Sequence, residues 1–332
     1  MPLRFFILVF LIYCCRPCAA QLRVDGVLDA EKRFCNPGIM GKSRSRGVEI
    51  RYTRLPGAPL QYKSGEGYTP KAIEGVEQLS FKLKLPLVNR PDWKVLLGFS
   101  HQPETIFFDA SQETATQSIF NDMHDARLKR SGIGLYVVKV VDENEYLGFT
   151  AKLNQSGDFD QLINFGREYR AVNINIARAF KESEDFEWGY GIAFSSNFRR
   201  TLALPFIIYN RNFNEDWGIE SIFPGYVNVR RNITSKTILL GGYQFNSRNY
   251  AINHDRQPTN GPVDYHLNHS EIQFGFTLEQ QIVPWVWFDV QAGYQYNFAT
   301  RLEAQTEEFS SFQVRPGHTP YFGLSFFLSP PR

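Results

Sequence analysis

The sequence predicts an all-β fold, an antiparallel transmembrane β-barrel of roughly 12–14 strands, and three observations support that prediction. Residues 286–298 alternate without interruption between an apolar face and a polar face. A tilted membrane strand needs about 9–11 residues, so this segment can cross a bilayer with one face towards lipid. The chain also begins like a secretory signal, and 15% of its residues are aromatic, as in the interfacial girdles of membrane barrels.

Residues 1–20 are predicted to be a cleavable signal peptide. Arg4 precedes an apolar run, and Cys18-Ala19-Ala20 ends the segment with small residues that suit signal peptidase. The run is shorter than the roughly 20 residues of a membrane-spanning helix. We therefore expect export by this signal and a location in the cell outer membrane.

Charge argues against a nucleic-acid partner, and cysteine content argues against a disulfide or a thiolate metal cluster. Without residues 1–20, which contain Arg4 and Arg16, 34 basic and 34 acidic residues remain. A neutral chain lacks the basic excess that phosphate backbones require, so no nucleic acid is expected as a partner. Cys35 is then the one cysteine left, so no intramolecular disulfide or thiolate metal cluster is expected. We interpret it as an isolated thiol in a mobile polar N-terminal arm, residues 21–47.

The barrel is predicted to occupy residues 48–332. The segments with strand-like alternation are 48–55, 74–87, 93–101, 131–141, 145–153, 169–180, 186–194, 202–210, 236–250, 271–278, 285–300 and 321–328. Residues 217–231 give an odd total of strands if they form one strand, whereas a turn at Pro224-Gly225 splits them and gives fourteen. Twelve stays an alternative if that region or the first strand folds otherwise.

Short and long connections mostly take turns along the chain. The short ones lie near residues 88–92, 142–144, 181–185, 212–216, 232–235 and 281–284. The longer ones lie near residues 57–73, 103–128, 155–168, 251–268 and 303–318. Short periplasmic turns and longer outer loops are typical of bacterial outer-membrane barrels.

The alternation also predicts which side chains face the lumen. Lys82 and Lys84 must point inwards, because a lysine facing lipid near the midplane costs about 2–4 kcal/mol. The predicted lumen-lining residues are Lys82, Lys84, Asn173, Asn175, Glu187, Asp289, Gln291, Gln295 and Asn297. The predicted aromatic belt at the periplasmic interface consists of Trp93, Trp188, Trp217, Trp285 and Trp287.

Turn and strand motifs in the second half of the chain resemble a known family. The motifs are Leu204-Pro205, Asn212-Phe213-Asn214-Glu215-Asp216-Trp217, Phe223-Pro224, Val227-Asn228-Val229 and Arg248-Asn249-Tyr250. Together they resemble the domain-of-unknown-function 6268 family, outer-membrane barrels of Bacteroidota and related bacteria. The segment Phe120-Asn121-Asp122-Met123-His124-Asp125 looks similar as well. The resemblance implies a barrel and supplies no catalytic residues.

No constellation of residues points clearly to catalysis. His269 and Ser270 are the candidates for a barrel-embedded lipid hydrolase, but neighbours along a strand point to opposite faces, whereas a triad must converge. A metal site would need His266, His269 and Glu271 on one side. We therefore predict no enzyme activity, no catalytic or metal site and no cofactor.

The function predicted is that of a structural barrel or a narrow passive channel for small solutes. The alternatives are the lipid hydrolase, a surface adhesion or structural protein that uses loops 103–128 and 251–268, and a soluble periplasmic β-sheet protein. The expected partners are the outer-membrane lipid bilayer and the barrel-insertion machinery. Solute and oligomeric state are left open by the sequence.

Overall fold

Fifteen β-strands carry the fold in the computed structural model, which describes residues 35–64, 72–108, 128–162, 165–197, 200–253, 265–305 and 311–330. The strands are β1 (Val48–Ser64), β2 (Ala72–Asn89), β3 (Trp93–Phe108), β4 (Leu128–Val140), β5 (Glu145–Gly157), β6 (Arg170–Ser183), β7 (Phe186–Asn197), β8 (Thr201–Asn212), β9 (Trp217–Phe223), β10 (Tyr226–Thr234), β11 (Thr237–Ile252), β12 (Tyr265–Val283), β13 (Val286–Ala304), β14 (Phe312–Pro316) and β15 (Thr319–Leu328). The signal peptide predicted over residues 1–20 lies outside the described residues.

The sheet closes on itself as an antiparallel barrel. Each strand from β1 to β13 pairs with the next, and β14 and β15 follow one another in the place between β13 and β1. The wall therefore has 14 strands, which confirms the barrel and selects the upper end of the predicted range. The turn at Pro224-Gly225 that separates β9 from β10 makes the number even. No helix among the described residues is long and apolar enough to span a membrane.

The outer surface is apolar, as a membrane-spanning wall requires. On β13, Val290, Tyr294 and Tyr296 are exposed, whereas Asp289 and Gln295, at alternate positions of the same strand, are buried in the interior. The same alternation continues on β15, where Phe322, Leu324 and Phe326 are exposed. In water such a surface would be unfavourable, but in a bilayer it contacts acyl chains.

The barrel has a turn end and a loop end. Six short connections form the turn end, at residues 90–92, 141–144, 184–185, 213–216, 235–236 and 284–285. At the loop end the strands are longer than predicted: β1, β3 and β12 continue into residues that were assigned to the loops 57–73, 103–128 and 251–268. The alternation is weaker there because the lumen itself becomes apolar, so polar and apolar faces no longer differ.

One part of the wall is incomplete. β9 and β10 have 7 and 9 residues, whereas β8 and β11 on either side have 12 and 16. Pairing between β8 and β9 stops at Ile207, and pairing between β10 and β11 stops at Gln244. Residues 201–206 of β8 therefore have no partner in β9, and residues 245–252 of β11 have none in β10. We call this opening the wall gap. On the side of the turn end it is bounded by the hydrogen bond from Phe245 N to Gly225 O, 2.8 Å.

The loop-end part of β11, residues 245–252, leans across the barrel instead of continuing the wall. Ala251 of β11 pairs in parallel with Gly157 of β5, nearly half the barrel away. A side chain at position 157 would collide with the Ala251 carbonyl oxygen, so glycine allows this close approach. Asp158 strengthens the bridge, because its carboxylate accepts hydrogen bonds from Asn253 N at 2.7 Å and from Tyr169 Oη at 3.0 Å.

Candidate functional site

Buried carboxylates collect in the lumen at the turn end. Five strands each contribute one near this end, and all are at most 2% exposed: Glu49, Glu187, Glu220, Glu279 and Asp289. We call them the turn-end carboxylates. A carboxylate in the interior is unfavourable unless it is paired and hydrogen-bonded. Their partners come from residues 35–47, which enter the barrel at this end.

The N-terminal arm provides a partner for each of these carboxylates. Gly38 N donates to Glu187 at 3.0 Å, and Ser43 donates to Glu220 from its backbone N at 2.8 Å and its hydroxyl at 2.6 Å. Two arginines of the arm contact the remaining three carboxylates. Arg44 N donates to Glu279 at 3.3 Å, and the Arg46 guanidinium contacts Glu49, Glu279 and Asp289 at 2.5–2.8 Å. The arm is therefore bound inside the turn end.

Aromatic rings complete the closure of the turn end. Trp287 and Phe327 stack in the interior with their centroids 6.3 Å apart. The guanidinium of Arg44 lies 4.7 Å from the Trp287 ring, and that of Arg46 lies 4.2 Å from the Phe327 ring. The three carboxylates around Arg46 raise its pKa despite its burial, so it stays charged.

Cys35 is buried at the start of this arm. It packs against Val140, Tyr146 and Ala179, and its N–H donates to the Asp142 carbonyl oxygen at 3.0 Å. Burial raises the pKa of the thiol, which makes it a poor nucleophile at neutral pH. The interpretation of Cys35 as an isolated thiol is therefore wrong, because its side chain is buried in this apolar cluster.

An ionic network crosses the lumen near the loop end. Arg248 of β11 contacts Glu104 of β3 at 2.5 Å and also Glu271 of β12. Glu104 accepts further hydrogen bonds from Gln78 at 2.9 Å and from Tyr250 at 3.1 Å. This Arg248 network divides the lumen, because Arg248 and Gln78 line both the cavity on its loop side and the cavity on its turn side.

The cavity on the loop side of the network is apolar. Its volume is about 90 Å³, and aliphatic side chains from β1, β2, β3, β12 and β13 make most of its wall. They include Leu55, Val76, Ile106, Leu267 and Leu302. A cavity of this size accommodates a short apolar group.

Burial raises the pKa of the Asp158 carboxyl, which lies in the connection after β5 at the same end.

Two further cavities fill the middle of the lumen, a small polar one and a larger one with both polar and apolar lining. One, about 210 Å³, contacts the Arg248 network, and the other, about 660 Å³, extends from β2 to β8 and reaches the wall gap. They share the lining residues Ser80, Lys82, Gln102, Arg130 and Ser247, so they adjoin one another. We call the larger one the central chamber; its volume is typical of ligand sites in proteins.

The predicted lumen residues occur at every level of the interior. Lys82, Lys84, Asn173 and Asn175 line the central chamber, and Gln291 lines the smaller polar cavity. Gln295 and Asn297 border the apolar cavity. Glu187 and Asp289 belong to the turn-end carboxylates.

The predicted belt requires one correction. Trp93, Trp217 and Trp285 are exposed on the turn-end half of the wall, and Trp188 stacks on Phe180 at the same end. Trp287 is only 1% exposed and lies inside the barrel. The physical reason is strand parity, since Trp287 shares the inward face with Asp289 and Gln291 whereas Phe288 and Val290 face outwards.

The hydrolase candidates do not converge. His269 points into the lumen, where its Nε2 lies 2.8 Å from Glu271 Oε2 and its Nδ1 lies 2.6 Å from Thr300 Oγ1. Ser270 points the other way and contacts Ser247 at 3.2 Å. Within the described ranges, no three His, Cys, Asp or Glu side chains form a metal-ligating group.

Several interior residues were missed by the sequence analysis. Lys152 lies between apolar neighbours in the segment 145–153 and could have been assigned to the lumen on that basis, whereas Tyr136 shares its face with Val138 and Val140 and gives no such signal. Glu104 was placed in a loop, and Glu220 lies in a strand whose boundaries were uncertain. The role of Arg46 had no signal, because its partners are up to 243 residues away along the chain.

A family model described as a domain of unknown function, DUF6268, matches residues 161–330, just over half of the chain. The chain belongs to this family. The match begins in the connection before β6 and continues to the residues after β15. None of the curated proteins matches the chain.

Solved structures similar to this DUF6268 barrel include three outer-membrane or transport proteins. An outer membrane channel from Pseudomonas putida F1 aligns with 12% identity and a TM-score of 0.42, covering 91% of this chain and 100% of that one. A Pseudomonas aeruginosa FadL homologue aligns with 10% identity and a TM-score of 0.42, covering 85% and 89%. The Ralstonia pickettii toluene transporter TbuX aligns with 8% identity and a TM-score of 0.35, covering 87% and 90%.

Proposed function

We propose that this protein is an outer-membrane channel for the passive passage of small solutes. The observation that supports the proposal is the series of three cavities in the lumen, of about 90, 210 and 660 Å³, which share lining residues. Side chains can fill a barrel of about eight strands, whereas a wall of 14 strands encloses a wider lumen in which such cavities can stay open. The apolar outer surface of the barrel fits a lipid environment, and the predicted signal peptide fits export.

The bound arm implies that conductance is low while the turn end is closed. In the outer membrane this end faces the periplasm, since short turns are typical of that side. Removal of residues 35–46 would take the partners of the turn-end carboxylates away and leave water in their place. The arm thus acts as the inner closure of the channel.

The test is conductance in planar bilayers, with full-length mature protein and a variant that lacks residues 35–46. We expect small or rare conductance steps for the complete chain and larger steps for the shortened one. A heat-shifted gel band shows that each protein is a folded barrel. A folded, shortened barrel that does not conduct ions would contradict the proposal.

Cell fractionation tests the location independently. We expect the processed protein, starting after Ala20, in the outer-membrane fraction with a heat-shifted band. Depletion of the barrel-insertion machinery should reduce its amount there. An unshifted, soluble periplasmic protein would overturn the location and the channel together.

A further inference from the structure

The central chamber has a strongly cationic wall. Five basic residues line it: Lys82, Lys84, Arg130, Lys152 and Arg200. No Asp or Glu occurs among the described residues that line this chamber. The turn end differs, because each of its buried carboxylates has a hydrogen-bond or ion-pair partner in the N-terminal arm. Since the chain as a whole is nearly neutral, the positive charge of the chamber is a local feature.

Two lysines of this wall converge on one aromatic ring. Lys84, Gly98, Gly134 and Lys152 are cross-strand neighbours in one row over β2 to β5. The two glycines leave space above the sheet, which the ring of Tyr136 occupies. Lys84 Nζ lies 5.1 Å and Lys152 Nζ lies 5.4 Å from the centre of that ring. The sheet thus directs two ammonium groups at one aromatic ring, in a chamber large enough for a ligand.

Most of these cations have no ion-pair partner among the residues that the structure describes. Lys82 makes an ion pair with Glu49 at 3.2 Å, but Lys84, Lys152 and Arg130 form none with any described residue. Like charges held near one another are unfavourable, and an anion between them would relieve the repulsion. The unpaired ammonium groups therefore indicate an anionic ligand.

The same row of residues becomes apolar where it meets the wall gap. Lys152 continues through Asn173 and Ser195 to Leu202. Leu202 and Leu204 line the chamber beside the unpaired edge of β8, and Phe245 faces them from β11. The chamber thus has a charged inner wall and an apolar mouth that opens sideways in the barrel wall.

Distances along the row limit the size of the ligand. Three interstrand steps of about 4.8 Å separate Lys152 from Leu202, which gives roughly 14 Å. The Lys152 side chain leans the other way, towards Tyr136 of β4, so it does not shorten this distance. A contact of about 3 Å at the head group and about 4 Å at the leucine leaves roughly 7 Å, so the apolar part needs at least some six carbon atoms to reach Leu202.

We propose that the central chamber binds small organic anions, with the carboxylate or phosphate group beside the Tyr136 ring, in contact with the ammonium groups of Lys84 and Lys152, and the apolar part towards Leu202 and Leu204. The inference deepens the proposed function, on which it rests, by naming the class of solute. Carboxylate and phosphate share the chemistry that the two ammonium groups recognise, and separate probes distinguish them.

The experiment is isothermal titration calorimetry of the detergent-folded full-length mature protein with four probes. Hexanoate and hexyl phosphate carry both an anion and an apolar chain, acetate carries only the anion, and hexan-1-ol carries only the chain. We expect hexanoate or hexyl phosphate, whichever head group fits, to bind about tenfold more tightly than acetate and hexan-1-ol. Affinity for both hexyl anions no greater than for acetate or hexan-1-ol would overturn the proposal.

Two variants and a control locate the site. Lys84→Gln with Lys152→Gln should weaken binding of the anionic probe about tenfold or more and leave hexan-1-ol unchanged. Leu204→Ser should weaken hexanoate and leave acetate unchanged. Lys139→Gln is the control, because Lys139 contacts the Trp93 ring at 5.3 Å on the outer face. Equal affinities for the double variant and the control, with heat-shifted bands for both, would overturn the assignment.

Calorimetry also separates this inference from the proposed function, because it needs no transport. Hexanoate binding without conductance in bilayers would support the chamber as a binding site and overturn the channel. Conductance without specific binding would support the channel and overturn the anion site.

Discussion

Single residues in this barrel matter most where a charge is buried among opposite charges. Arg248 is the clearest case, because it lies between Glu104 and Glu271 and all three side chains are at most 8% exposed. Removing one partner of a buried pair leaves an uncompensated charge, which costs about 3–5 kcal/mol, whereas removing all the charges together can be neutral. The Arg248 network is thus a unit.

Arg248→Met should therefore lower the free energy of unfolding by about 3 kcal/mol. Urea unfolding in liposomes, followed by tryptophan fluorescence, measures the change. The triple variant Arg248→Met, Glu104→Gln, Glu271→Gln should recover most of the loss. If the triple variant is less stable than Arg248→Met, the two carboxylates contribute through contacts other than those with Arg248.

Among the structural elements, the N-terminal arm depends on side chains rather than on sheet pairing. It has no strand of its own among residues 35–47, and Arg46 links it to β1, β12 and β13 at once. Breaking such contacts costs about 3 kcal/mol, equivalent to about a hundredfold change in the population of the released arm. Cys35 reports this release, because it is buried when the arm is bound.

Arg46→Gln should accelerate maleimide labelling of Cys35 about a hundredfold in the folded barrel. No second cysteine competes for the reagent once residues 1–20 are removed. Arg54→Gln is a matched control, since Arg54 pairs with Glu77 at 3.2 Å but is 64% exposed. If both variants label at the wild-type rate, Arg46 does not control the position of the arm.

Sequence alone predicted the strands well where one face met lipid and the other met polar lumen. Lys82 and Asp289 alternate with apolar neighbours, so their segments were correctly predicted as strands. Prediction failed for Glu104, because the strand that carries it lines an apolar cavity at the loop end and the alternation is lost there. The arm and the lean of β11 were also beyond the sequence, since both depend on contacts between distant residues.

At the scale of the whole molecule, strand parity decides which side chains meet the membrane. Trp285 and Trp287 are two positions apart, yet Trp285 is 55% exposed and Trp287 is 1% exposed. The turn at residues 284–285 precedes β13, so Trp285 lies outside the strand alternation that directs Trp287 into the lumen. The two residues therefore make a matched pair for testing how the whole barrel lies in a bilayer.

Brominated lipids should quench Trp285 and leave Trp287 bright. In proteoliposomes, Trp285→Phe should lower the quenchable fraction of the fluorescence, and Trp287→Phe should raise it by removing a protected emitter. The reason is contact, because bromine on an acyl chain must approach the indole and the buried ring lies behind the wall. Equal effects of the two substitutions would place both rings in the same environment and contradict the parity of β13. Absence of quenching in a folded, liposome-bound protein would mean that the exposed apolar wall does not face acyl chains, and the transmembrane orientation would be wrong.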